Sequence, residues 1–266
     1  MQSLIKTIVL LVGIALWIAP FSAIAENENV DEIVKNTNTA AYYSGEDGKS
    51  NVFMTITDAQ KRTRTREFVI LRKDVSDGGD QKFYVYFKKP SDVRKMVFMV
   101  HKHINNDDDR WLYLPALDLV KRIAASDNRT SFAGSDFFYE DVSGRSPDED
   151  FHELIEVTNK YFVLENKPKN PDIVEFSSYK MWIDKKTWLP VKSEYLDKEK
   201  NIYRIIEALD IKEIQGIPTV VKARVADLLS KNETIIEFSN IKYNTGIEDK
   251  IFTERYLRKK PRIVRR

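Results

Sequence analysis

Asp77-Gly78-Gly79-Asp80, then Phe83-Tyr84-Val85-Tyr86-Phe87, and a little further on Met96-Val97-Phe98-Met99-Val100, decide the fold class of this chain. Paired glycines between aspartates signal a tight hairpin turn, because such turns need backbone conformations with positive φ that glycine adopts at no steric cost. Beyond the turn, Phe83, Val85 and Phe87 alternate with Tyr84 and Tyr86, and Met96, Phe98 and Val100 alternate with Lys95 and Val97. A repeat of two is the side-chain period of an extended strand. Upstream, Val52, Met54 and Ile56 alternate in the same way with Phe53, Thr55 and Thr57.

The pattern continues into the second half. Strands are expected at about 173–184, 190–197, 202–213, 218–229 and 234–243, joined by Lys185-Lys186-Thr187, Lys198-Glu199-Lys200, Gln215-Gly216 and Ser230-Lys231-Asn232. Val221, Ala223 and Val225 fall on one side and Lys222 and Arg224 on the other, as in an antiparallel sheet with one wet face. About eleven or twelve strands are too many for a flat sheet, so the sheet must curl. The chain is therefore mainly β (α+β), a single domain with no linker or repeat dividing it.

Two stretches break the alternation. The mixture of polar and apolar residues over 30–43 predicts a first helix, with Val30, Ile33, Val34, Ala40 and Ala41 inward and Gly45 ending it. Between the halves, 134–150 predicts a short helix over Phe137, Phe138 and Val142, capped by Ser135 or Asp136 and stopped at Gly144-Arg145-Ser146-Pro147. These two helical pieces can cover the open mouth of a curved sheet and leave room beneath for a ligand.

Ahead of the first helix, a short segment carrying Lys6 leads into an apolar run over 7–18, then Pro20 and Ala23-Ile24-Ala25. Charged, apolar, then small-x-small is the order of a signal peptide, cleaved here after Ala25, and the run is shorter than the roughly 20 residues of a membrane-spanning helix. The expected mature domain is 26–266.

Composition excludes several classes of function. With 43 Lys+Arg against 41 Asp+Glu in 266 residues, the net charge of +2 gives no basic face for nucleic acid. The absence of cysteine excludes disulfides, thiolate metal sites, thiol nucleophiles and a lipid-modified N-terminal cysteine. His101 and His103 share a strand face beside Asp107, Asp108 and Asp109, but no third ligand is fixed by spacing, so they read as residues near an acidic hairpin tip and no metal is expected. Ser135, in Ala133-Gly134-Ser135-Asp136, lacks the glycine-x-serine-x-glycine elbow of a hydrolase. Asp148-Glu149-Asp150 with His152 reads as a solvated polar loop. No glycine-rich phosphate cradle or dinucleotide fingerprint occurs, so neither cofactor nor enzymatic activity is expected. The tail with Arg258, Lys259, Lys260, Arg262, Arg265 and Arg266 is basic enough for transient contact with an anionic membrane surface, or is a solubilising terminus. What remains is a surplus of 14 Phe, 12 Tyr and 4 Trp, which either fill a β core or line a cavity.

Three segments add a resemblance. Phe87-Lys88-Lys89-Pro90-Ser91-Asp92-Val93-Arg94, then Asp107-Asp108-Asp109-Arg110-Trp111-Leu112-Tyr113-Leu114-Pro115-Ala116-Leu117, then Arg122-Ile123-Ala124 through Phe132-Ala133-Gly134-Ser135-Asp136-Phe137-Phe138-Tyr139-Glu140-Asp141 resemble, in order and spacing, the outer-membrane lipoprotein-sorting family, periplasmic relatives of the LolA and LolB carriers. Two positions depart from the pattern: Lys95 stands where the family usually has glycine, and Ala133 where it often has methionine. The resemblance implies a strongly curved antiparallel sheet, an unclosed half-barrel whose concave apolar face is roofed by helices and receives acyl chains. It further implies a periplasmic location, frequent association with inner-membrane exporters of the RND or MMPL class, and no catalytic residues.

Combined with the alternation, the resemblance places Val52, Met54, Ile56, Phe83, Val85, Phe87, Met96, Phe98 and Val100 inward on the first strands. Trp111 and Tyr113 are placed near the mouth, Phe132, Phe137 and Phe138 on the lid, and Gly134, Ser135 and Asp136 at the lid hinge and cap. The expected function is a periplasmic carrier of the acyl chains of a lipoprotein or lipid toward the outer membrane. The alternative is an adaptor subunit of an RND or MMPL exporter with no lipid cargo of its own.

Overall fold

The computed structural model describes residues 29–265, so the leader assigned to residues 1–25 lies outside the described residues. Helix α1 (Val30–Tyr42) starts at Asn29, whose side-chain oxygen accepts a hydrogen bond from the Asp31 N–H at 3.0 Å, and it buries Ile33 and Thr37. The chain then steps through β1 (Asp47–Thr57), β2 (Thr63–Asp74), β3 (Gln81–Lys89), β4 (Val97–Lys102), β5 (Asp109–Leu114) and β6 (Leu119–Ile123), each antiparallel to the one before. A connector carrying α2 (Tyr139–Ser143) leads to β7 (Asp150–Val157). From there β8 (Tyr161–Pro168), β9 (Ser178–Asp184), β10 (Pro190–Leu196), β11 (Ile202–Ile214), β12 (Ile217–Asp227) and β13 (Asn232–Tyr243) return until β13 pairs with β1. A C-terminal segment with α3 (Glu254–Arg258) follows.

The result is one 13-stranded sheet in the order β6-β5-β4-β3-β2-β1-β13-β12-β11-β10-β9-β8-β7, curved but not closed into a barrel. Its middle strand is β13, with β1 beside it, and its edges are β6 and β7. The connector between those edges must therefore travel from one rim of the sheet to the other. Register shifts at Lys49/Asn51, Glu67/Phe68 and Ala208/Asp210 add the local twist that curls the sheet.

Both faces of the first half are covered. On the concave face, Val52, Met54, Ile56, Phe83, Val85, Phe87, Phe98 and Val100 pack with Phe132 and Tyr139 of the connector. On the convex face, Val69, Leu71, Tyr84, Tyr86, Val97 and Met99 pack against Ile247, Ile251, Phe252, Leu257 and Val264 of the C-terminal segment. The Tyr84 hydroxyl donates to the Tyr256 carbonyl at 2.8 Å. The basic tail is thus laid on the sheet: Arg258 pairs with Asp118 at 3.2 Å and the Lys260 ammonium lies 4.9 Å from the centre of the Tyr86 ring.

Four strands escape the alternation for physical reasons. Along β2, Phe68-Val69-Ile70-Leu71 is apolar at both parities because both faces are dry, so it has no repeat of two. Strand β7 is a mostly exposed edge whose pairing slips between Leu154 and Glu156, which scrambles its pattern, and β8 buries Phe162, Val163 and Leu164 in succession, so it too has no repeat of two. Strand β6 is only 5 residues long. Ile173 belongs to a single turn over Pro171–Ile173, and β9 starts at Ser178.

Candidate functional site

Between the concave face and its cover lies a trough of about 360 Å³. Met54, Phe68, Ile70, Phe83, Val85, Ala223, Ile236 and Phe238 form its floor and walls, and Ala41, Tyr42, Phe132, Phe137 and Val142 its roof. That size lies within the range of small-molecule sites, about 300–1,000 Å³.

The nine strand residues placed inward by sequence lie together in or beside one apolar cluster, but they do two jobs. Met54, Phe83 and Val85 line the trough. Val52, Ile56, Phe87, Met96, Phe98 and Val100 stand outside its lining and form a packed floor toward β4. Phe98 has ring centroids 5.6 Å from Phe132 and 4.9 Å from Tyr139, contacts that leave no room for a ligand beside it. Phe68, Ile70, Ala223, Ile236 and Phe238 join the site only through strand pairing: Phe68 opposite Phe87 and Ile70 opposite Val85 on β3, Ile236 opposite Met54 and Phe238 opposite Val52 on β1, and Ala223 opposite Ile236.

Trp111 and Tyr113 require a correction. Trp111 pairs with Met99 and Tyr113 with Val97, so both project to the convex face, beneath the C-terminal segment. Leu112 and Leu114 take the concave side of β5 instead. Phe137 roofs the trough, whereas Phe138 is held between guanidinium groups, its ring centroid 4.2 Å from Arg204 and 5.0 Å from Arg129.

The connector's own geometry also differs from expectation. Neither Ser135 nor Asp136 caps α2: the helix begins three residues later, with the Phe138 N–H donating to the Asp141 carboxylate at 2.6 Å. Ser135 Oγ donates to the Phe132 carbonyl at 2.6 Å and accepts from the Phe137 N–H at 3.2 Å, closing the turn locally. The Asp136 carboxylate accepts from the Thr234 hydroxyl at 2.6 Å, tying the turn to β13. Ala133 and Gly134 have φ of 53° and 74°, and Lys95 has φ of 70°. The left-handed region favours glycine, which accounts for the family's usual glycine at the position of Lys95. Asp92 pairs with Arg66 at 3.4 Å.

Three arginines bind the connector to the second half of the sheet. Arg129 pairs with Glu140 and, at 2.6 Å, with Glu175; Arg145 pairs with Glu140 at 3.2 Å and Asp150 at 3.0 Å; Arg204 pairs with Asp141. Their side chains are 8% exposed or less. At such burial a charge persists only when paired. Burial alone would raise the Glu175 carboxyl, yet its hydrogen bond and attraction to Arg129 outweigh that and hold it below the ordinary value. Burial raises the Tyr195 hydroxyl to about 12, so it is a neutral group here. The Asp150 carboxylate, placed by the sequence reading in a solvated loop, is 2% exposed and also accepts from the Tyr179 hydroxyl at 2.8 Å.

The two candidate metal histidines part company. His101 Nε2 lies 2.9 Å from the Phe252 carbonyl, while His103 sits between Asp80 at 2.9 Å and Asp109 at 3.3 Å. Among the described residues no group of three or more His, Asp or Glu is placed to hold a metal ion.

A family model describing uncharacterized proteins matches residues 79–259. Among solved structures, a DUF1329 family protein from Desulfovibrio piger is similar at 29% identity and a TM-score of 0.78, over 86% of this chain and 97% of that one. A putative outer membrane lipoprotein-sorting protein domain from Vibrio parahaemolyticus is similar at 26% identity and a TM-score of 0.77, over 86% of this chain and 100% of that one. A LolA superfamily protein from Nitrosomonas europaea shares the fold at 17% identity and a TM-score of 0.65, over 85% of this chain and 98% of that one. No curated protein sequence matches the chain.

Proposed function

The chain belongs to the outer-membrane lipoprotein-sorting family, with the LolA-like fold, and from that premise we propose that it is a periplasmic carrier that shields the acyl chains of a lipoprotein or lipid on the way to the outer membrane. The observation that carries the reading is the trough itself: about 360 Å³ walled by Met54, Phe68, Ile70, Phe83 and Phe238, under a roof that crosses the sheet from rim to rim. Each buried methylene contributes about 0.8 kcal/mol, so a sixteen-carbon chain brings on the order of 12 kcal/mol that water opposes. A carrier must nearly match the membrane without exceeding it. An open apolar trough does that through area alone, with no need for charged anchors.

Native mass spectrometry of protein taken from the periplasm, followed by lipid extraction, tests the proposal. Co-purifying acyl chains are expected. Empty protein held in a stable complex with an inner-membrane exporter would replace the carrier reading with the adaptor one.

A further inference from the structure

Across the convex face, on the side away from the trough, the last residues form a strap. The Arg258 guanidinium lies 5.9 Å from the centre of the Tyr113 ring on β5, the Lys260 ammonium 4.9 Å from that of Tyr86 on β3, and Lys49 on β1 donates to the Ile263 carbonyl at 2.6 Å. The strap therefore runs across the strands, from β5 to β1. Leu257 and Val264 pack on the sheet and are buried, as is Pro261, whereas Lys259, Arg262 and Arg265 are exposed. Arg262 and Arg265 stand three apart in a single 3-10 turn, so they share its outer side.

Two more cations lie beside the strap. Lys88 follows Tyr86 on the same face of β3, and Arg94 is in the turn between β3 and β4. Like charge gathers here: Lys260 is held below its ordinary pKa first by burial and then by Lys88 and Arg265. The carboxylates of the neighbouring turns are taken, Asp92 by Arg66, Glu67 by Lys89 and Asp118 by Arg258. Among the described residues, none of Lys88, Arg94, Lys259, Lys260, Arg262 and Arg265 is in an ion pair. The whole chain carries a net charge of only +2, so this excess is a local arrangement.

An apolar tip stands next to it. Asp118, the partner of Arg258, follows Leu117 in the β5–β6 turn, and Leu117 is 70% exposed. Unpaired cations gain from any surface of negative charge, but an exposed leucine gains only where there is hydrocarbon to enter. An acidic protein face answers the cations alone, whereas a bilayer of anionic lipids answers both.

We propose that the strap and the β5–β6 tip dock the protein on an anionic lipid surface, Lys259, Arg262 and Arg265 meeting the phosphate groups and Leu117 entering between the lipids. The inference goes beyond the carrier reading and does not depend on it, because the docking face is on the opposite side of the sheet from the trough.

Flotation of the mature chain with vesicles of phosphatidylcholine alone, or of phosphatidylcholine mixed with phosphatidylglycerol, tests it. Binding is expected only to the vesicles that contain phosphatidylglycerol, and it should fall as salt is raised. Lys259→Glu, Arg262→Glu and Arg265→Glu combined should weaken it on the order of a hundredfold, at about fivefold for each cation near a membrane surface. The same reversal at Lys35, Lys186 and Lys198, exposed residues elsewhere on the molecule, should cost far less. Leu117→Ser should weaken vesicle binding and leave binding to soluble polyglutamate unchanged. Equal binding to both kinds of vesicle, equal losses in the two triple variants, or vesicle binding indifferent to Leu117→Ser overturns the proposal. Absence of binding to the anionic vesicles overturns it as well, and capture by polyglutamate in that case points to an acidic protein partner instead.

Discussion

Arg204 on β11 holds Asp141 of α2 in a buried ion pair, with its guanidinium 4.2 Å from the centre of the Phe138 ring. The Arg204 side chain is 2% exposed and that of Asp141 12%. Arg204 also donates to the Asp136 carbonyl at 3.1 Å. One side chain from the far half of the sheet thereby fixes both the entry turn and the helix of the connector. From the near half, Lys102 donates to the Ser143 carbonyl at 2.7 Å, at the end of α2 where unsatisfied carbonyls favour a cation. The roof of the trough is clasped from both sides.

Removing one partner of that pair strands the other charge in the interior. Asp141→Ala should therefore lower stability by about 3 kcal/mol, and Asp141→Ala combined with Arg204→Met should be closer to the wild type than the single change. Urea denaturation at neutral pH measures both. Simple additivity of the two substitutions would falsify the pairing.

The division between packed floor and open trough predicts opposite outcomes for two apolar-to-acidic changes. Phe98 is fully buried against Phe132 and Tyr139, so Phe98→Asp should abolish soluble folded protein. Ile70 is half-buried on the trough wall, so Ile70→Asp should fold and lose binding of a fluorescent fatty acid. Circular dichroism beside the binding titration separates the two effects, and undiminished binding by the Ile70 variant contradicts the placement of the ligand.

The start of the C-terminal cover is held by the Asp47 carboxylate. Asp47 accepts from the Thr245 N–H at 2.7 Å, the Ile247 N–H at 2.7 Å and the Thr245 hydroxyl at 2.9 Å. Burial raises its pKa, but the hydrogen bonds from Ile247 and Thr245 win and place it below the ordinary 3.8. A depressed folded value means that the stabilisation is complete above the unfolded pKa and disappears as pH falls through the folded one. The difference in thermal midpoint between wild type and Asp47→Asn should be constant from about pH 5 to 7 and shrink below about pH 4. A gap that persists unchanged at acid pH rules this account out.

His103 titrates in the opposite sense. Its hydrogen bond to Asp80 raises it above the ordinary 6.5, with burial opposing and Asp109 assisting. A raised folded value gives stability that is fully present below about pH 6.5 and lost as pH climbs through the folded pKa. With the His103 side chain 30% exposed, the effect should stay below about 1 kcal/mol. Stability curves of wild type and His103→Gln should therefore converge toward alkaline pH; parallel curves would remove the histidine from the explanation.

Much of the fold could be read from the chain because Val52, Met54 and Ile56 of β1 alternate with more exposed neighbours, while β3 and β4, buried at both parities, stand out as short apolar runs beside the glycine turn. Reading β5 failed for the same reason that it was tempting. Trp111-Leu112-Tyr113-Leu114 is apolar at both parities, and only the pairing of Trp111 with Met99 says which set faces the trough. The arginine clasp was equally hidden, since Arg129, Arg145 and Arg204 look like surface residues until their carboxylates are brought to them from Glu140, Asp141, Asp150 and Glu175.

The sequence by itself determined that this chain makes a long antiparallel sheet with an apolar side and a helical connector between its halves, because side-chain period is a local property of extended backbone. Only the tertiary structure decided which apolar residues stay uncovered. Covering Tyr84 and Trp111 takes Phe252 and Leu257, more than a hundred residues away, and leaving Ile70 and Phe238 open takes a connector that spans the sheet without filling it. Those are consequences of strand order, which closes β1 on β13 and puts β6 and β7 at opposite rims.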